Sequence, residues 1–350
     1  MALTLTSLAD LAAHSFDDVI DVRSPAEFAE DHIHGAMNLP VLSNEERARV
    51  GTIYTQVSAF DGRKVGGALV ARNTARHLEE SLAGKDGAWR PLVYCWRGGQ
   101  RSGFFASFLR EVGWRAETIE GGYQRYRRLV HQMLYGPALP HRLVLLDGNT
   151  GTAKTEVINL LTGLGHQSID LEGLARHRGS VLGGTGEAQP AQKAFESGLA
   201  MGLTGLDPSR PTVLEAESSK IGRINLPPAL WSAMQAAPRI DISAPLAERA
   251  RYLAGVYADQ LADAEGFTAL FQPLRRFRGH AVVDRWGALL AEGDREGFVA
   301  AIMADHYDPT YAKSRKDRAT EVIARIAAER LDPEGRLSLA RQVSAILNEM

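Results

Sequence analysis

Short apolar runs separated by segments of helical period make up the first 135 residues of the chain. Residues 19–22, 92–94 and 117–119 read as strands, and 64–82 carries apolar positions at helical spacing before stopping at Gly84. Phe104, Phe105, Phe108, Leu109 and Val112 form an apolar stripe expected to pack on the sheet. A basic helix over 124–134 follows Gly121 and Gly122, and GPALPH then reads as a linker, which divides the chain into domains at 1–135 and 136–350. The second part restarts the pattern with a strand at 142–146, a glycine-bearing loop and a helix at 154–161. Further strands are expected at 212–214 and 239–242, and 245–350 reads as mainly helical. This alternation predicts an α/β fold throughout, with parallel sheets flanked by helices and a helical C-terminal part.

Composition narrows the picture modestly. With 350 residues and 45% hydrophobic content, the chain can bury two cores. Its 40 basic and 42 acidic residues leave a formal charge of -2, so any RNA binding has to come from local patches. A single cysteine excludes an intrachain disulfide, and without CxxC or HExxH spacing no metal centre is expected. No basic N-terminal leader and no apolar stretch of membrane-spanning length is evident, which points to a cytoplasmic protein away from membranes.

Chemistry concentrates in two loops. The first, Cys95-Trp96-Arg97-Gly98-Gly99-Gln100-Arg101, joins an apolar strand to the helix bearing the phenylalanine stripe. A loop wound around a helix start turns backbone N–H groups inward and favours an anion, so a thiol at its centre is placed to act as a nucleophile. Arg97 and Arg101 add forked donors for a tetrahedral anion. Five residues separate Cys95 from Arg101, a spacing that also suits phosphate-ester hydrolysis. Asp21, Arg23 and Glu27 are either loop-orienting groups or buried polar supports.

The second loop, Gly148-Asn149-Thr150-Gly151-Thr152-Ala153-Lys154-Thr155, lies between a strand and a helix and fits GxxxxGK[ST] except at Ala153. In such a loop backbone N–H groups cradle phosphates, the lysine neutralises them and the hydroxyl can meet Mg²⁺. An alanine before the lysine is strained wherever φ must be positive. Beyond the next strand, Glu215 and Glu217 are candidates for contact with a metal ion or a water, or are solvated carboxylates at a strand end. Arg176 and Arg178 are candidates for phosphate binding, or an exposed basic turn.

The first loop, with IDVRSPAEF, DHIHGAMNLP and EGGYQRY around it, resembles the rhodanese family, whose loop cysteine carries sulfur or selenium. That order of loops, with LEGLARHRGSVLGG, QPAQKAFES, LEAESSKIG and HYDPTY downstream, resembles the tRNA 2-selenouridine synthase family over nearly the whole chain. The resemblance implies a transferase acting on the wobble 2-thiouridine of tRNA through S-geranyl-2-thiouridine, with geranyl diphosphate and selenophosphate as partners. It implies Cys95 as the selenium carrier, residues 148–155 as the diphosphate cradle, no tightly bound cofactor, and Mg²⁺ as a candidate ion at the cradle. Two alternatives stay open: a sulfurtransferase or phosphatase fused to a small-molecule kinase, and a non-catalytic phosphate-sensing module. Basic clusters at Arg125-Arg127-Arg128, Arg275-Arg276-Arg278 and Lys313-Arg315-Lys316-Arg318, set among tyrosines and Phe277, are candidate RNA contacts.

Overall fold

A computed structural model describes residues 2–179, 183–184, 187–316 and 320–350. The chain forms two compact units, one of residues 1–136 with 190–205 and one of 137–189 with 206–350.

In the first unit, β1 (Ala2–Leu3), β2 (Asp18–Asp21), β3 (Met37–Asn38), β4 (Pro91–Tyr94) and β5 (Glu117–Ile119) form one parallel sheet in the order β1-β5-β4-β2-β3. Central β4 is buried at all four positions, as expected of a parallel strand covered on both faces. Helices Ala59–Glu79 and Gln100–Val112 supply Leu69, Val70, Phe105, Ala106 and Leu109 to the core with Val93 and Trp114. The phenylalanine stripe does not pack as one surface. Phe105 and Leu109 are fully buried, whereas Phe104 and Phe108 are 37% and 39% exposed and Val112 more so. The five positions cover too wide an arc for one sheet contact, and i, i+4 pairs from two adjoining faces had been merged.

A second domain running unbroken from 136 was expected, but one helix of that stretch packs with the first unit. Gln192–Thr204 belongs to the first unit. Its buried Glu196 accepts from Arg127 and from Tyr135, and its Ser197 hydroxyl donates to the buried Asp31 at 2.9 Å. These polar groups meet only when the helix packs against Gly122–Tyr135.

The second unit is built on β6 (Arg142–Gly148), β7 (Gln167–Ile169), β8 (Pro211–Glu215), a short hairpin of β9 (Lys220–Ile221) and β10 (Ile224–Asn225), β11 (Arg239–Ser243) and β12 (Val322–Ala327). The main sheet is parallel in the order β12-β11-β6-β8-β7. β6 sits at its centre and is buried from Leu143 onward, which places the loop after it at the carboxyl edge, where open α/β sheets bind ligands. The last strand was not expected within the helical tail. It is an edge strand that exposes Arg325 and Ala327 and buries only Ile326, so its sequence lacks the apolar run of its neighbours. Residues between β11 and β12 form a separate helical core around Trp286, Phe271, Phe298 and Met303. Among the described residues, no helix is long and apolar enough to cross a membrane.

Candidate functional site

Cys95 follows β4 directly and is 3% exposed, at the N-terminal end of helix Gln100–Val112. The Ser102 hydroxyl, one turn into that helix, lies 3.1 Å from the Cys95 Sγ and is placed to donate to it. The loop backbone is held from behind by helix Gly122–Tyr135: the Tyr123 and Gln124 amides donate to the Cys95 and Trp96 carbonyls at 2.8 and 3.0 Å. Gly122 has φ +54°, and a Cβ there would collide with the Cys95 carbonyl oxygen and the Gly98 amide, so the contact requires glycine.

The two loop arginines have different settings. Arg101 donates to Glu27 at 3.0 Å in a largely buried ion pair, while exposed Arg97 reaches the Gln124 amide oxygen at 3.2 Å. Burial alone would raise the Glu27 carboxyl, but Arg101 outweighs it and holds the group below the usual carboxylate range. Glu27 therefore orients the loop through Arg101. Asp21 and Arg23 instead form a buried pair beneath it, with the Arg23 guanidinium 3.9 Å from the Tyr123 ring centre and donating to the Asp31 carbonyl. Ser102 was not singled out in the sequence, because a serine one helical turn past a loop carries no pattern of its own.

The second loop connects β6 to helix Lys154–Gly163. Ala153 adopts φ +57° and ψ 33°, the left-handed conformation that a glycine would take without strain. Its methyl group is buried in the core with Val157, Ile158 and Leu161. Lys154 turns back across the loop, and its ammonium donates to the Gly148 carbonyl at 3.1 Å. Burial alone would depress this ammonium, yet Tyr311, Glu172, Glu217 and Asp147 surround it and raise its pKa above the ordinary value. Gly151, at φ +85°, lets the loop pass against Leu253 and the Arg249 carbonyl.

A cavity of ≈ 130 Å³ opens over this loop, lined by Thr150 to Glu156 and walled by Glu172, Arg178, Tyr252, Leu253, Val256, Tyr257 and Tyr311. Arg178 lies over the Tyr257 ring at 4.7 Å, so it faces the cleft. Arg176 pairs with Glu187 on the exposed surface and is not part of the cleft lining. Glu217 converges with Glu172, a residue the sequence reading passed over because β7 is too short to mark it as a strand end. Burial first, and the neighbouring Glu217 second, push the Glu172 carboxyl up to about 8. Thr155 donates to the same carboxyl at 3.0 Å. Glu215 is set apart from the cleft: fully buried, it accepts from the Leu171 amide, and burial above all pushes its carboxyl well above the usual range. It braces the turn after β7.

Arg249 and Asp308 were not singled out either: Asp308 lies within HYDPTY, but 59 positions separate it from Arg249 and nothing local pairs them. Their bidentate pair joins the phosphate loop to the helical segment, since Arg249 also donates to the Thr150 carbonyl and Asp308 accepts from Asn149. The basic clusters are partly consumed by such pairing: Arg125 binds the Leu5 carbonyl, Arg127 Glu196, Arg275 Asp284, and Arg278 His306 and Thr310. Arg318 and the side chains of Arg315 and Lys316 lie outside the described residues.

Residues 4–129 match the family model for a rhodanese-like domain, and residues 141–277 match that for the tRNA 2-selenouridine synthase AAA domain. The chain is 33% identical over 342 residues to tRNA 2-selenouridine synthase of Cupriavidus pinatubonensis, covering 88% of this chain and 91% of that one. With the protein of the same name from Chromohalobacter salexigens it shares 32% identity over 367 residues, 94% and 95% of the two chains. The Nitrosomonas europaea protein, also of that name, is 36% identical over 235 residues, which span 66% of this chain and 61% of the relative. A cysteine loop and a phosphate loop in this order, within chains alike over nearly their full length, place the protein in the tRNA 2-selenouridine synthase family.

Proposed function

We propose that this transferase modifies tRNA by converting wobble 2-thiouridine to 2-selenouridine through S-geranyl-2-thiouridine, using geranyl diphosphate and selenophosphate. The observation that carries the reading is the combination, in one chain, of a nucleophile loop centred on Cys95 and a phosphate loop whose cleft is walled by Lys154, Arg178 and three tyrosines. Family membership supports tRNA as the substrate.

In the first stage the thiouridine sulfur attacks C1 of the geranyl group, the carbon–oxygen bond breaks, and diphosphate leaves. Lys154 and the loop amides neutralise the charge that develops on that leaving group. Thr155, Glu172 and Glu217 offer hard oxygen donors beside the cradle, a donor set that fits Mg²⁺. When bound, the ion would supply further neutralisation of the diphosphate. In the second stage the Cys95 thiolate takes selenium from selenophosphate, the selenium–phosphorus bond breaking with its electron pair left on phosphorus, which departs as phosphite. The selenium so carried on Cys95 adds to C2 of the base, and the carbon–sulfur bond breaks with geranyl thiol as leaving group. Arg97 and Arg101 assist by binding the phosphate end of the selenium donor. With Cys95 the chain's single cysteine, the selenium–sulfur bond to the carrier is opened by an outside thiol.

The test is to incubate 2-thiouridine tRNA with protein, geranyl diphosphate and selenophosphate, and to analyse nucleosides by mass spectrometry. Cys95→Ser is expected to stop 2-selenouridine while S-geranyl-2-thiouridine still forms, and Lys154→Ala to block geranylation. Wild-type selenation by Cys95→Ser, or vigorous nucleoside-triphosphate turnover without tRNA, would overturn the assignment.

A further inference from the structure

Beside the phosphate cleft lies a second, apolar recess of ≈ 30 Å³ lined by Leu261, Phe267, Phe298, Val299, Ile302 and Met303. The two spaces share Thr150, Leu253 and Tyr257, so the recess opens off the same loop that cradles phosphate. A phosphate cradle next to an apolar dead end matches a ligand with an anionic head and a hydrocarbon tail. A nucleotide, which continues from its phosphates into a polar ribose, gains nothing from such a floor.

We infer that this recess receives the far end of the prenyl chain and sets the chain length the enzyme accepts, an inference that rests on the diphosphate reading of the loop. From the cradle the tail would pass Leu253 and Tyr257 and end against Phe298 and Ile302. A space that holds a single water measures roughly 10–15 Å³ on this scale, so ≈ 30 Å³ admits only a terminal group or two. The recess therefore rewards a chain that just reaches it and resists one that overruns it. Burying one methylene is worth roughly a fourfold gain in affinity, so a chain one isoprene unit longer that fills the recess should bind at least about tenfold tighter.

Calorimetric titration of the full chain with inorganic diphosphate, dimethylallyl, geranyl and farnesyl diphosphates tests this. In wild type, geranyl diphosphate is expected to bind about tenfold or more tighter than the dimethylallyl ester, with farnesyl no tighter than geranyl. Ile302→Trp fills the recess and should bring the geranyl to dimethylallyl ratio close to one while inorganic diphosphate binds as before. Phe298→Ala enlarges it and should raise farnesyl relative to geranyl by at least about threefold. Should the tryptophan variant lose inorganic diphosphate binding through misfolding, the alanine variant decides alone. Chain-length ratios unchanged from wild type in a variant that binds diphosphate would overturn the tail site and leave the cradle standing. Failure of wild type to bind inorganic diphosphate, or undiminished binding by Lys154→Ala, would instead overturn the cradle and the tail site with it.

Discussion

Replacing Asp308 by asparagine tests whether the helical segment holds the phosphate loop in shape. Asp308 receives both terminal nitrogens of Arg249, at 2.9 and 2.8 Å, and the Asn149 amide at 3.1 Å. The Arg249 side chain is only 7% exposed, whereas Asp308 is 27% exposed. Removing one partner of a fully buried pair costs about 3–5 kcal/mol, because the remaining charge stays desolvated. Water already shares Asp308 and asparagine keeps one acceptor, so Asp308→Asn should cost about 2–3 kcal/mol. Arg249→Met removes the charge that needs a partner, fills the stem volume near Met303, and leaves Asp308 to hydrate; its cost should be about 1–2 kcal/mol. The double variant should then cost about 1–2 kcal/mol less than the sum of the singles, since the asparagine no longer strands a guanidinium. Urea unfolding at pH 7.5 gives the stabilities, and calorimetry with inorganic diphosphate should show at least about tenfold weaker binding for Asp308→Asn once Thr150 and Asn149 lose their anchor. If Arg249→Met proves the more costly single change, or the two effects simply add, the pair does not act as described.

Other outcomes follow from the same geometry. The raised Glu172 carboxyl binds its proton more tightly folded than unfolded, so its contribution is complete below about pH 4.5 and is lost as pH rises toward about 8. In EDTA buffer Glu172→Gln should therefore match wild type near pH 5 and exceed its stability near pH 9, by an amount on the order of a few kcal/mol; parallel curves in thermal melts would refute the proton sharing. Gly122→Ala forces a methyl group into the Cys95 carbonyl and should destabilise the first unit by about 3 kcal/mol or more, read by chemical denaturation, with selenation lost. In Ala153→Gly, relief of about 1–2 kcal/mol of left-handed strain is offset by the loss of a buried methyl and by added unfolded-state freedom. Its stability should stay within about 1 kcal/mol of wild type with diphosphate binding intact, whereas a loss above about 2 kcal/mol would show the methyl packing to dominate.

Much of this was legible before any coordinates. The strands at the centres of both sheets, β4 and β6, are covered on both faces and so write continuous apolar runs, and each is followed by a glycine-bearing loop that leads into a helix. Edge strands were not legible, because β12 is half exposed and carries Arg325. The side chains that complete the phosphate cleft come from distant segments: Glu172 after β7, Tyr252 and Tyr257 on and just beyond helix Leu246–Val256, and Tyr311 beyond residue 300. No local period encodes their convergence. The positive φ at Ala153 illustrates the opposite case, in which the motif fixed the backbone and the residue conformed.

Helix Gln192–Thr204 gives the chain a particular order of assembly on the ribosome. The first unit closes around Asp31, Arg127 and Ser197, yet Ser197 emerges only after the phosphate loop and β7 of the other unit have been made. Between Gly136 and Gly205 the ribosome adds 69 residues, which takes roughly 3–14 s at 5–20 residues per second. For that interval the N-terminal sheet waits with a carboxylate and a guanidinium unclosed, while the second unit is begun and left unfinished. A cut at the linker would leave the N-terminal piece without the helix that closes it, and the C-terminal piece carrying a helix whose partners are gone.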